Sequence, residues 1–229
     1  MTENVLIIGV GSGLSASIAR LFAEEGMTIG LAARSVEKLL PLASEIGGRA
    51  YACDVTDVDS VAKLFETFEN DIGCPDILVY NPGMRVPGPI TDVDPLDTRD
   101  AIMVTAYGAF LAAQQAARRM LGAGKGTMLF TGASAGIKGY PRSAPFAMGK
   151  FALRGLCQSL ARELSPQNIH VAHFVIDGHI LNKERGAPFD DPATSLDPAA
   201  IAKTYLNIAR QDSSAWTWEV ELRPSVESF

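Results

Sequence analysis

Val5-Leu6-Ile7-Ile8 is a short, wholly apolar run that ends in Gly9-Val10-Gly11-Ser12-Gly13, and a helical pattern opens directly after it at Leu14. No other stretch restricts the fold so strongly. A strand without polar alternation must be covered on both faces, which is the situation of a strand inside a parallel sheet. A glycine turn that runs straight into a helix is the first half of a βαβ crossover. The alternation then continues. Apolar β-rich runs at Thr28–Ala33, Arg49–Cys53, Asp76–Tyr80, Gly126–Thr131, Ile169–Ile176 and Trp216–Leu222 alternate with helical patterns at Leu14–Glu25, Ser35–Ile46, Val58–Ile72, Leu96–Leu121, Ala144–Glu163 and Pro198–Arg210. Asp57 is placed to cap the helix that begins at Val58. The pattern predicts an α/β chain: a doubly wound parallel sheet with helices on both faces, in one domain over residues 1–229. The longest irregular stretch, from Gly178 to Pro198, is expected to be a loop beside the cleft.

Composition narrows the partners. With 47% hydrophobic and 20% charged residues the chain can bury a core. The net charge of −6 and the lack of a long basic run argue against nucleic acid. No apolar run reaches the ~20 residues of a membrane span. The N-terminus lacks the basic start and separate apolar run of a signal peptide. Cys53, Cys74 and Cys157 are scattered and odd in number, which predicts buried reduced thiols in a cytoplasmic protein. His170 and His173 fall on opposite faces of a predicted strand with no third ligand near, so no metal site is expected.

The chemistry gathers at strand ends. Gly9, Gly11 and Gly13, with Ser12 and Leu14, open a helix, where bare amides and a positive dipole suit a pyrophosphate. The second strand ends at Ala33-Arg34. A carboxylate there would select NAD through the ribose hydroxyls. An arginine instead suits a 2′-phosphate and favours NADP. Phe146 precedes Lys150 by one helical turn on the same face. A tyrosine at Phe146 would be a proton donor beside a cation that lowers its pKa; a phenylalanine cannot donate.

Together with Cys53-Asp54-Val55 and Tyr80-Asn81-Pro82-Gly83, these spacings resemble the short-chain dehydrogenase/reductase family over nearly the whole chain, from Val5 to about Ile201. The resemblance implies a Rossmann-type fold that binds NAD(P), and it assigns residues in turn. Gly9 and Gly13 match glycines of the T-G-x-x-x-G-x-G loop, with Ile8 in place of Thr and Ser15 in place of the last Gly. Asp54, with Val55 after it, matches the aspartate that holds the adenine amino group. Asn81 and Gly83 match N-N-A-G and wall the cofactor cleft. Lys150 matches the lysine on the nicotinamide ribose. Asp177-Gly178-His179-Ile180 matches P-G-x-I beside the nicotinamide, with Asp177 for Pro, and Asn182 falls near the carboxamide.

The catalytic positions depart from the family. Its Ser, Tyr and Asn fall at Ala133, Phe146 and Thr105; of the four, Lys150 alone remains. Tyr140, Ser134 and His179 are the candidate substitutes for polarising a substrate, and Lys150 could itself donate if burial lowered its pKa. The resemblance implies an NADP(H)-dependent oxidoreductase acting on a small carbonyl, alcohol or activated alkene. The alternative is an inactive NADP(H)-binding protein, either a redox sensor or a partner subunit. It also implies a homodimer or homotetramer. Trp216 and Trp218, two apart in an edge strand, are expected on one face, as core cover or at a subunit contact.

Overall fold

In the computed structural model, which describes residues 2–227, seven parallel strands form one sheet in the order β3-β2-β1-β4-β5-β6-β9. The strands are β1 (Asn4–Ile8), β2 (Thr28–Ala33), β3 (Arg49–Ala52), β4 (Ile77–Tyr80), β5 (Gly126–Thr131), β6 (Ile169–Ile176) and β9 (Glu219–Leu222). Two short strands between β6 and β9, β7 (His179–Ile180) and β8 (Ser195–Leu196), pair in parallel with each other. Residues 178–198, expected as loop, therefore hold a small second sheet.

Alternate residues of each strand feed two separate cores, as the period of a strand requires. Leu6 and Ile8 of β1 join Phe65 and Phe68 of α3 (Val58–Asp71), Ala112 and Ala116 of α5 (Gly108–Ala123), and Leu153 of α6 (Ala144–Leu164). Val5 and Ile7 join Ile18 and Phe22 of α1 (Leu14–Glu24), Leu42 of α2 (Leu40–Ile46), and Ile201 and Tyr205 of α7 (Pro198–Ala209). The strand order reverses between β1 and β4, and in such sheets a crevice opens there outside the strand ends.

Three boundaries differ from the sequence reading, each for a local reason. The helix expected from Ser35 starts at Leu40, after a 3₁₀ turn at Val36–Lys38. Pro41 lacks an N–H and is tolerated only in a first turn, so it marks the start. The long helix expected over Leu96–Leu121 is continuous from α4 (Pro95–Ile102) into α5 but widens to a π-turn at Met103–Tyr107. Tyr80, fully buried, donates to the Val104 carbonyl at 2.5 Å and competes with the regular helical ladder there. The last strand begins at Glu219, not Trp216. Trp216 stacks on His170 at 4.8 Å, while Trp218 lies against Arg154 of α6. The two indoles therefore serve opposite sides of β6 and do not share a face.

His170 donates through Nε2 to the Thr217 carbonyl at 2.8 Å, and His173 pairs through Nδ1 with Glu219 at 3.0 Å. Burial, partly opposed by Glu219, pulls His173 down to about 4, so it is neutral at ordinary pH. Cys53 and Cys157 are buried thiols, whereas Cys74 is only half-buried. No helix among the described residues is long and apolar enough to cross a membrane. Asp57 caps α3 as expected, accepting from the Ser60 amide at 2.7 Å. Asp57→Ala should cost about 1 kcal/mol of stability, read as a shift in urea midpoint at unchanged slope.

Candidate active site

The glycine loop is shaped by what lies behind it. Gly9 sits at φ +83°, and a Cβ there would lie 2.6 Å from the Pro82 ring. Only glycine meets both conditions. Ser15, which stands in place of the family's last glycine, is buried and donates to the Gly9 carbonyl at 3.1 Å. Asn81 in turn donates to the Ser15 hydroxyl at 2.6 Å. The departure at Ser15 thus becomes a stitch between the loop and β4. The N-terminus of α1 has no side-chain cap and no acid in its first turn, so its free amides suit an anion.

From this loop a cleft of about 1110 Å³ runs along the carboxyl ends of β1, β4, β5 and β6. Gly9, Gly11, Ser12, Gly13 and Leu14 form one end; Asn81, Gly83 and Lys150 stand in its middle. Phe146, Ala133, Ser134 and Tyr140 line it as well, as do Gly178, His179, Ile180 and Asn182, with the Asn182 amide close to Gly13.

Lys150 is buried, and its Nζ donates to the Thr131 carbonyl at 2.7 Å. A Cβ on Gly83 would come within 3.3 Å of that nitrogen, so the missing side chain leaves it room. Burial pulls the ammonium down to about 8. Because the folded state holds this proton less tightly than the unfolded chain, Lys150 lowers stability below pH 8. That cost is relieved as pH rises from about 8 towards 10.5 and is on the order of 3 kcal/mol. Cys53 and Cys157, pushed up by burial in the fold, titrate in the unfolded chain within this range, so the difference between the wild type and Lys150→Met isolates the effect. The stability of the variant relative to wild type should be largest below pH 8 and should fall steadily up to pH 10.5, measured by urea unfolding of the free protein.

Phe146 places a bare ring where a hydroxyl would stand. Lys150 Nζ is 5.8 Å from its centroid and the Arg85 guanidinium carbon 5.2 Å. On the neighbouring wall the Tyr140 hydroxyl donates to Ser134 Oγ at 3.0 Å and lies 3.5 Å from Asp177 Oδ1. Burial pushes the Asp177 carboxyl up, but the Ser134 hydroxyl and the Lys138 and Arg223 charges outweigh it and hold it below its ordinary value. Both cations stand 3.5 Å from Asp177 Oδ2. Lys138 also lies 5.6 Å from the Tyr140 ring centroid, and hydrogen bonding to that hydroxyl raises its pKa. A hydroxyl pair backed by one carboxylate and two cations can hold and move a proton at a substrate oxygen.

The sequence pattern of the short chain dehydrogenase family matches residues 3–178. The chain belongs to that family. It is 30% identical over 224 residues to the 3-oxoacyl-[acyl-carrier-protein] reductase MabA of Mycobacterium bovis, a match that spans 93% of this chain and 88% of the relative. A solved short-chain dehydrogenase from Rhodopseudomonas palustris superposes with a TM-score of 0.84 at 36% identity, over 97% of this chain and 98% of that one. A metagenomic short-chain oxidoreductase, solved in complex with NADP, does so with a TM-score of 0.83 at 27% identity over 98% of both chains.

Within this short-chain dehydrogenase scaffold, not every residue expected at the site reaches the cleft. Arg34, Asp54 and Val55 do not line it. They lie at the ends of β2 and β3, to the side of the central crevice. The Val55 side chain lies in the core shared with α3 and α5, and its carbonyl packs against Gly108. Asp54 takes two hydrogen bonds from Thr56 on Oδ1, at 2.9 Å and 2.7 Å, and these hold its carboxyl low, with Arg34 adding to the effect. Thr105 is buried in the π-turn, where it accepts from the Met84 amide at 3.3 Å. His179 lines the cleft and packs edge-on to Phe189 at 4.8 Å. Sequence reasoning noted Asp177 only as a replaced proline and gave Arg85 and Arg142 no role. The signal for Asp177 was a charged residue at a strand end where the family motif has an apolar one. For the arginines no local signal existed.

Proposed function

We propose that this chain is an NADP(H)-dependent oxidoreductase acting on a small carbonyl, alcohol or activated alkene, with Tyr140 and Ser134 in the role left vacant at Phe146. The observation that carries this reading is the 3.0 Å contact between the Tyr140 and Ser134 hydroxyls, in the same cleft as Lys150 and the glycine loop. NADP(H), when bound, supplies or accepts the hydride. The free amides of the glycine loop and α1 hold the pyrophosphate, and Lys150 donates to the nicotinamide ribose. Asp54 keeps Oδ2 for the adenine amino group, since Thr56 occupies Oδ1. Arg34, exposed at the end of β2, takes the 2′-phosphate. The metagenomic relative's NADP complex supports the same choice of cofactor.

In reduction, Ser134 and Tyr140 donate to the substrate oxygen, and Tyr140 gives up the proton directly or through Ser134. Lys138 stabilises the charge left on Tyr140, and solvent restores the proton, since Tyr140 is exposed. Asp177 orients the hydroxyl pair. His179, which lines the same cleft beside Phe189, is the reserve donor. The expected homodimer or homotetramer belongs to this proposal, with Phe110 of α5 and Met148 and Phe151 of α6 as exposed apolar side chains available to it.

Titration of NADPH fluorescence, followed by turnover across carbonyls and enones, tests the reading. Failure to bind at high micromolar NADPH would sink it. Binding without oxidation of any substrate would instead mark a redox sensor or partner subunit. A finer check concerns Arg34. Arg34→Ala should weaken NADPH about tenfold while leaving NADH within about twofold, because only the 2′-phosphate loses a charged partner.

A further inference from the structure

We infer that the substrate end of the cleft recognises a carboxylate, so that the substrate is a small organic acid, held by Arg85 and Arg142. This builds on the function proposed above but stands on separate observations. Both arginines are exposed and line the cleft. Neither forms an ion pair or a side-chain hydrogen bond among the described residues, although the chain carries a net charge of −6. Of the acids on the same walls, Asp177 is already matched by Lys138 and Arg223, and Glu184 and Glu227 form no ion pair with either arginine.

The backbone explains their placement. Arg142 sits at φ +60°, a left-handed conformation that disfavours any residue with a Cβ. Glycine or asparagine would adopt it more cheaply, so the turn itself does not call for an arginine. Its carbonyl accepts from the Gly88 amide at 3.0 Å. That bond ties the loop carrying Arg142 to the loop carrying Arg85, and so joins the two guanidinium-bearing segments at one rim.

Arg85 rests on the Phe146 ring, a cation–π contact that orients the guanidinium without using its N–H donors. Two planar forks with free donors match a carboxylate, which accepts paired N–H bonds in a plane.

The test uses succinate and its uncharged counterpart succinamide. Binding to the protein, with and without NADPH, is followed by saturation-transfer NMR and calorimetry. Succinate should bind and succinamide should not. Arg85→Gln and Arg142→Gln should each weaken succinate about tenfold or more, and Arg85→Lys should recover part of the loss. Inorganic phosphate should bind these arginines more weakly than succinate does. Equal binding of acid and amide, no binding of either, unchanged affinity in the Gln variants, or tighter binding of phosphate would each overturn the inference. NADPH affinity, measured in the same samples, separates the two readings. If NADPH fails to bind while succinate behaves as expected, the proposed function falls and the anion site stands.

Discussion

Tyr140→Phe is expected to lower kcat/KM for carbonyl reduction by about 10²–10⁴-fold, the size of a general-acid contribution. NADPH affinity should stay within about twofold, because Tyr140 lies beyond Gly83 and Lys150 on the substrate wall. The change removes one oxygen and leaves the ring, which is 41% exposed, so the fold has no reason to respond. The hydroxyl is the only part of Tyr140 that reaches Ser134 at 3.0 Å and Asp177 at 3.5 Å. Steady-state kinetics on the best substrate from the carbonyl and enone panel, with fluorescence titration of NADPH alongside, reads the result. A loss below about threefold would show that the proton comes from elsewhere, and His179→Gln would be the next variant to measure.

Phe146→Tyr is expected to raise kcat/KM for an unactivated ketone by about 10²-fold. It should also restore most of the activity lost in Tyr140→Phe when the two are combined. The new phenol would extend from a ring whose centroid is 5.8 Å from Lys150 Nζ and 5.2 Å from the Arg85 guanidinium carbon. Two cations so close favour the phenolate and lower the pKa of the donor. The gain should diminish above pH 8 as Lys150 loses its proton. If activity stays flat while NADPH still binds, the absence of a hydroxyl at Phe146 is not what limits turnover, and Ala133 becomes the position to restore.

These two variants address different kinds of information. The missing hydroxyl at Phe146 is legible in the chain, because it lies one helical turn before Lys150 in a continuous helix. The glycine loop, the apolar strands and the cap at Asp57 are legible for the same reason: each depends on neighbours a few residues away. So does the reading that His170 and His173 oppose each other on β6, which follows from the period of a strand.

Where the reading missed, long-range contacts decided. Tyr80 reaches across the sequence to the Val104 carbonyl and turns an even helix into a π-turn. Ser15 looked like a small packing change and became a link between Gly9 and Asn81. Val55, placed beside the cofactor by motif, also packs its side chain into the core, a contact that no local signal announces.

The Rossmann architecture and the absence of a hydroxyl one helical turn before Lys150 follow from local order: side-chain periodicity, glycine placement and residue identity. Which residues could replace that hydroxyl does not. Tyr140 and Ser134 lie on one loop, but the carboxylate that holds them comes from the end of β6 and one of its cations from beyond β9. The loops that carry Arg85 and Arg142 are joined by a backbone bond from Gly88 to the Arg142 carbonyl. Periodicity is a property of neighbours along the chain. The far wall of this cleft is made by segments brought together only when the sheet closes over its two cores.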